Sequence, residues 1–135
     1  MKGTNYMSNI NAKEIVKTAV DAMLDKKASD VKILDISNIS VIADYFIIAD
    51  GNNANQIQAI VDNIEEKLHE AGVKEPRVEG YNTATWILLD YNDVIIHVFN
   101  KDERLFYDLD RIWRDGKQVK VEDLSYNKNN ACCMI

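Results

Sequence analysis

Residues 86–99 read WILLDYNDVIIHVF: two apolar runs around a short polar tip. Asn92 and Asp93 suit a two-residue turn, because Asn and Asp tolerate positive φ better than other side-chain-bearing residues. A turn there pairs Tyr91 with Val94, Asp90 with Ile95, Leu89 with Ile96, Leu88 with His97, Ile87 with Val98 and Trp86 with Phe99. Side chains alternate across a strand. One face of this hairpin then holds Ile87, Leu89, Tyr91, Val94, Ile96 and Val98, which is plain core. The other holds Trp86, Leu88, Asp90, Ile95, His97 and Phe99. His97 lies diagonal to both Trp86 and Asp90, within reach of long side chains. Two readings fit this second face. It is covered by another element and His97 is a satisfied core histidine, or it is a protein-binding surface. In the second case Trp, Phe and Leu are the anchors, and Asp and His set the orientation.

Working outward, NAKEIVKTAVDAMLDKK predicts a first helix. Asn11 is placed to cap it, with Glu14 three residues on as in a capping box. Ile15, Val16, Ala19, Val20 and Met23 recur at helical spacing. Two strands follow, at about 31–36 and about 43–50, both rich in β-formers. Gly51-Asn52-Asn53 breaks the chain before a second helix with Ile57, Ile60, Val61, Ile64 and Leu68 inward, closed by Gly72. A short strand is expected near Val78, then the hairpin. KDERLFYDLDRIWRDG predicts a third helix with Leu105, Phe106, Leu109, Ile112 and Trp113 inward. The order α-β-β-α-(β)-β-β-α implies an α/β chain: one mixed sheet in a single domain, with helices packed on it. The domain is expected over residues 10–124, between an N-terminal extension at 1–9 and a polar tail at 125–135.

The 135 residues are 47% hydrophobic and 28% charged, with 1 Pro and 5 Gly. Such a chain buries a sufficient core without staples. The net charge of -6 disfavours backbone-driven nucleic-acid binding, which needs basic surface to displace phosphate counterions. It suits a basic protein partner and plain solubility alike. Cys132 and Cys133 are adjacent and no spaced Cys/His set exists, so no zinc site, disulfide framework or cofactor is expected. The final CCMI matches a prenylation box only superficially, because it follows a polar tail without a polybasic run. No apolar segment nears the ~18 residues that span a bilayer, and the N-terminus has no apolar signal region. A cytoplasmic location without membrane attachment is expected.

Several motifs in order resemble the ribosomal silencing factor, or Iojap, family over about residues 12–121. DYFIIADG (44–51) resembles D-Y-F-V-I-A-S-G, and the helix at 56–68 resembles the family's Q-V-x-A-I-A helix. Glu79-Gly80 matches an E-G pair, and the hairpin resembles W-V-L-L-D-Y-G-D-V-V-V-H-V-F. Arg104, Phe106, Tyr107, Leu109 and Trp113 match R-x-F-Y-x-L-x-x-L-W. Asn92 stands where the family usually has Gly, and Asp50 where it usually has Ser.

The resemblance implies a nucleotidyltransferase-like topology and often a homodimer. It implies binding to the large ribosomal subunit through a basic protein of its intersubunit face, the one numbered fourteen. Joining of the small subunit is then blocked sterically, which represses translation. Organellar relatives act in large-subunit assembly. On this basis Trp86, Leu88, Asp90, His97 and Phe99 are expected to face outward and dock, with Arg104 and Tyr107 extending the patch. For Arg104 the alternative is a helix charge paired with Asp102 or Asp108. For the face as a whole it is a homodimer contact. Catalysis is not expected. Nucleotide transfer needs a Gly-Ser phosphate turn and paired carboxylates for two metal ions. Here Gly51 precedes Asn, and Asp90 and Asp93 straddle a turn. A Ser/His/Asp set around His97 and Asp90 lacks a nucleophile.

Overall fold

The computed structural model describes residues 11–102 and 117–119. The first helix, α1 (Ala12–Asp25), begins as its sequence dictates. The Asn11 side chain accepts the Glu14 N–H at 2.9 Å, and the Glu14 carboxylate accepts the Asn11 N–H at 3.3 Å. This reciprocal box satisfies two donors that an uncapped helix leaves unpaired. Its stripe of Ile15, Val16, Ala19, Val20 and Met23 is buried. The helix ends with Lys27 at φ 64. There Lys27 N–H donates to Leu24 O and Ala28 N–H to Met23 O. That is the Schellman pattern, with lysine in the left-handed position usually given to glycine.

The second helix, α2 (Ala54–Glu70), is capped by Asn53, whose side chain accepts the Gln56 N–H. Gln56 also ties the helices together. Its amide donates to the Lys26 and Lys27 carbonyls at 3.2 and 3.0 Å, beside the end of α1. Ile57, Ile60, Val61, Ile64 and Leu68 are all fully buried. Asn63, also buried, donates to the Ala22 carbonyl at 2.9 Å. Gly72, at φ +90, closes α2 in a second Schellman pattern, with Val73 N–H on Leu68 O.

The strands are β1 (Ser29–Asp35), β2 (Tyr45–Gly51), β3 (Arg77–Glu79), β4 (Trp86–Asp90), β5 (Val94–Asn100) and β6 (Lys117–Val119). They form one sheet in the order β3-β4-β5-β2-β1-β6. The β2/β5 pair is parallel and every other pair antiparallel, so the sheet is mixed. The parallel pair lies in the middle, where α2 serves the crossover between them. Both helices cover one face, and the main core lies between: Ile33, Ile47, Ala49, Ile87, Leu89, Ile96 and Val98 against the two helical stripes. The hairpin pairs from Trp86↔Phe99 to Asp90↔Ile95, the register expected from its tip.

Three details differ from the expectations. The first two strands run Ser29–Asp35 and Tyr45–Gly51, so Gly51 belongs to a strand. A bulge at Asp30, with φ 48, lets β1 begin earlier than its apolar run. β6 was not expected, because three residues carry no readable alternation. The proposed third helix lies outside the described residues, as do both termini. Among the described residues no helix is long and apolar enough to cross a membrane.

Candidate partner-binding face

The sheet face turned away from the two helices gathers the side chains singled out in the hairpin. β4 contributes Trp86, Leu88 and Asp90, and β5 contributes Ile95, His97 and Phe99. The parallel register adds Phe46, Ile48 and Asp50 from β2, opposite Ile95, His97 and Phe99. Leu34 of β1, with Ile36 and Ala43 beyond the strand ends, completes a second, smaller apolar cluster. Phe46, Trp86 and Leu88 pack on it from the rim.

A stack of rings organises the middle of this face. Trp86 lies on Phe99 with ring centroids 5.1 Å apart, and His97 is near-parallel to Phe99 at 6.0 Å. Phe46 meets His97 edge-on at 5.1 Å. The Trp86 indole N–H donates to His97 Nδ1 at 3.0 Å. Nδ1 is therefore bare, and the neutral ring carries its proton on Nε2. Nε2 is buried, with no hydrogen-bond partner among the described residues. Burial pushes the imidazole pKa down to about 4, because the charged form would lose its hydration.

Trp86, Leu88 and Asp90 are partly exposed, in alternate positions along β4. His97 and Phe99 share their face but not their exposure. His97 is 6% exposed and Phe99 0%. The expectation that these two point outward is corrected: the ring stack absorbs them, and they form the floor beneath Trp86. Arg104 and Tyr107 lie outside the described residues. Alternation in DYFIIADG places Phe46 on the same side as Asp44 and Ile48, so its place on this face was readable. Its contact with His97 depends on β2 lying beside β5, which periodicity does not reveal.

The carboxylate of Asp90 is used locally, accepting the Asn92 N–H at 2.8 Å. Asn92 sits at φ 75, and Asp93 N–H donates to Tyr91 O across it, a three-residue turn. A His–Asp pairing for catalysis is thus not formed. Trp86 occupies the nitrogen that Asp90 would have to orient, and an imidazole with pKa near 4 is a poor base at neutral pH. No group of three metal-binding side chains gathers among the described residues.

Gly80 supports the face from its edge. At φ +82, it lies so close to β4 that a Cβ would strike the Trp86 carbonyl oxygen. Only glycine lets the chain turn there and run β3 back along β4.

Comparison with known proteins agrees with the motifs. Residues 9–132 match the family model described as "Ribosomal silencing factor during starvation". A protein of Halalkalibacterium halodurans named Ribosomal silencing factor RsfS is 44% identical over 116 residues, 86% of this chain and 97% of that one. One of the same name from Bacillus subtilis is 42% identical over 120 residues, 89% and 99%. Plant proteins named Iojap are also related, the Arabidopsis thaliana chloroplast protein at 32% identity over 87% of this chain and 48% of its own length. An X-ray structure of a Chromobacterium violaceum protein, 34% identical, superposes with a TM-score of 0.74 over 79% of this chain and 89% of that one. The chain belongs to the ribosomal silencing factor family.

Proposed function

We propose that this chain represses translation by binding the large ribosomal subunit through the basic intersubunit-face protein numbered fourteen, so that the small subunit cannot join. Family membership supports the ribosomal target. The observation that carries the docking site is the partly exposed row of Trp86, Leu88 and Asp90 over a fixed stack of rings. An indole held by a hydrogen bond and a ring beneath it loses little freedom on binding, which favours affinity. Its rim position offers apolar area of the kind that anchors interfaces. Asp90 supplies the charge that meets a lysine or arginine and fixes register. The net charge of -6 suits a basic partner. His97 and Phe99 position Trp86 from below, and Arg104 and Tyr107 belong to the same proposed patch. The mechanism is occlusion in the cytoplasm, without chemistry or cofactor, and the chain is a homodimer in this reading.

Co-sedimentation with separated ribosomal subunits tests it. Wild type should travel with the large subunit alone and prevent joining of the small one. Trp86→Ala should lose about 2 kcal/mol or more of binding. Sedimentation with neither subunit would sink the proposal. A dimer that Trp86→Ala turns into a monomer, with ribosome binding intact, would reassign the face to self-association.

A further inference from the structure

The loop between β1 and β2, residues 36–44, exposes more apolar surface than any other described segment. Ile39 is 54% exposed, Ile42 73% and Val41 fully so. Scattered exposed hydrophobics need no explanation, but three within four positions form a patch. Nor is the loop loose. Ile36 N–H donates to Asp44 O at 2.9 Å, closing its base, and Ile39 and Ser40 N–H both donate to Ile36 O. Ser40 Oγ accepts the Ile42 N–H at 3.0 Å. The residues at its base, Ile36 and Ala43, are buried in the same cluster that Trp86 and Leu88 pack on. The exposed tip therefore continues the candidate partner-binding face.

Acidic groups border that tip. Asp44 and Tyr45 N–H both donate to Asp93 O, at 2.8 and 3.1 Å, which sets the end of the loop against the hairpin tip. Asp44 and Asp93 are both exposed, and Asp90 stands on the next strand over. Among the described residues none of these three carboxylates forms an ion pair. Of the three, Asp44 acts on the Tyr45 hydroxyl, which is pushed up chiefly by burial and then by Asp35 and Asp44.

We propose that Ile39, Val41 and Ile42, with Asp44 and Asp93 beside them, form a docking surface for a basic protein that offers an apolar recess ringed by lysine or arginine. This rests on the function proposed above and adds a second contact for the same partner. Charge argues against a second copy of this chain as the occupant. A two-fold contact built on this tip would bring two copies of the same acidic border together, in a chain already at net charge -6.

The test compares large-subunit affinity of wild type, Val41→Ser with Ile42→Ser, Asp44→Asn with Asp93→Asn, and Trp86→Ala. The serine pair should weaken binding about tenfold or more. It should leave the melting temperature unchanged, because both side chains are already in water. The asparagine pair should weaken binding less and flatten its dependence on salt. Three results overturn the proposal. If the serine pair binds like wild type while Trp86→Ala does not, the loop is excluded and the β4 row stands. If the serine pair turns a dimer into a monomer, the surface serves a second copy. If wild type binds neither subunit, the loop and the proposed function fall together.

Discussion

The two faces of the sheet are built from the same six strands and differ in what they tolerate. The face under α1 and α2 is mainly aliphatic, with Ile33, Ile47, Ala49, Ile87, Leu89, Ile96 and Val98 at or near zero exposure. Its polar exceptions are Tyr45 and Tyr91; the buried Tyr91 hydroxyl lacks a partner among the described residues and is pushed up chiefly by burial, then by Glu65 and Glu75. The opposite face mixes rings, a neutral histidine, and the buried carboxylate of Asp50. Aliphatic packing is non-directional and scales with area. Ring stacking and an N–H···N bond fix orientation as well. The first face therefore stabilises the fold, and the second holds particular groups in particular places.

If that division holds, the largest loss of stability comes from the first face. Leu89→Ala should cost about 3 kcal/mol, the usual range for a fully buried leucine. It should appear as a lower urea midpoint at unchanged slope. A cost below about 1 kcal/mol would mean that the helix side is loosely packed and that the comparison fails.

The second face should reveal itself through pH. The His97 pKa is about 4 in the fold and 6.5 as its ordinary value. Between those values the unfolded chain holds the proton and the folded chain does not. Stability therefore rises with pH across that window, and it is lost as pH falls from about 6.5 to about 4. At roughly 1.4 kcal/mol per pH unit, the loss is about 2–3 kcal/mol. Carboxylates also titrate near the lower end, so the useful quantity is the difference from His97→Leu. Urea unfolding of both proteins at pH 7 and pH 4.5 should show wild type losing more. Parallel losses would mean that His97 is not held neutral.

A smaller effect tests the bond itself. Trp86→Phe keeps a ring over Phe99 but leaves His97 Nδ1 without its donor. An unsatisfied buried acceptor costs about 1–2 kcal/mol, measurable by the same denaturation. The variant should also bind large subunits more weakly than its modest loss of stability would suggest, because the remaining ring is no longer pinned. Equal stability of variant and wild type would show that the indole–imidazole hydrogen bond adds nothing to the hold on Trp86.

Local signals made much of this legible. The hairpin register followed from a two-residue tip, and the cap at Asn11 and both helical stripes lie where their spacing puts them. What escaped was set by distant contacts. Strand order depends on β2 lying parallel to β5, which no periodicity encodes. β6 exists because β1 offers it an edge, not because Lys117–Val119 has strand character. Alternation showed that His97 and Phe99 share a face with Trp86 but not how deep they lie, because depth depends on neighbours from β2. The exposed tip at Ile39, Val41 and Ile42 escaped for the opposite reason. Apolar residues read as core unless the chain around them is known to turn outward.

The smallest expected effect sits at the helix ends that cover the first face. Both helices close with the same hydrogen-bond pattern, α1 through Lys27 at φ 64 and α2 through Gly72 at φ +90. A side chain costs energy in that conformation, whereas glycine adopts it freely. Lys27→Gly should therefore stabilise the protein, although glycine also enlarges the unfolded ensemble and offsets part of the gain. A net gain of about 0.5 kcal/mol corresponds to a melting temperature about 2 °C higher for a domain of this size. Gly72→Ala runs the same exchange backwards. Nothing lies within 4 Å of the added Cβ, so its cost of about 1 kcal/mol would be purely conformational. Neither change touches the ring stack, so large-subunit binding should be the same in both variants. If Lys27→Gly destabilises instead, the lysine stem packs usefully on α1, and the two helix ends are not equivalent despite their shared pattern. If either variant alters binding, the two faces are coupled through the sheet, and the division between a stabilising face and an orienting face has to be given up.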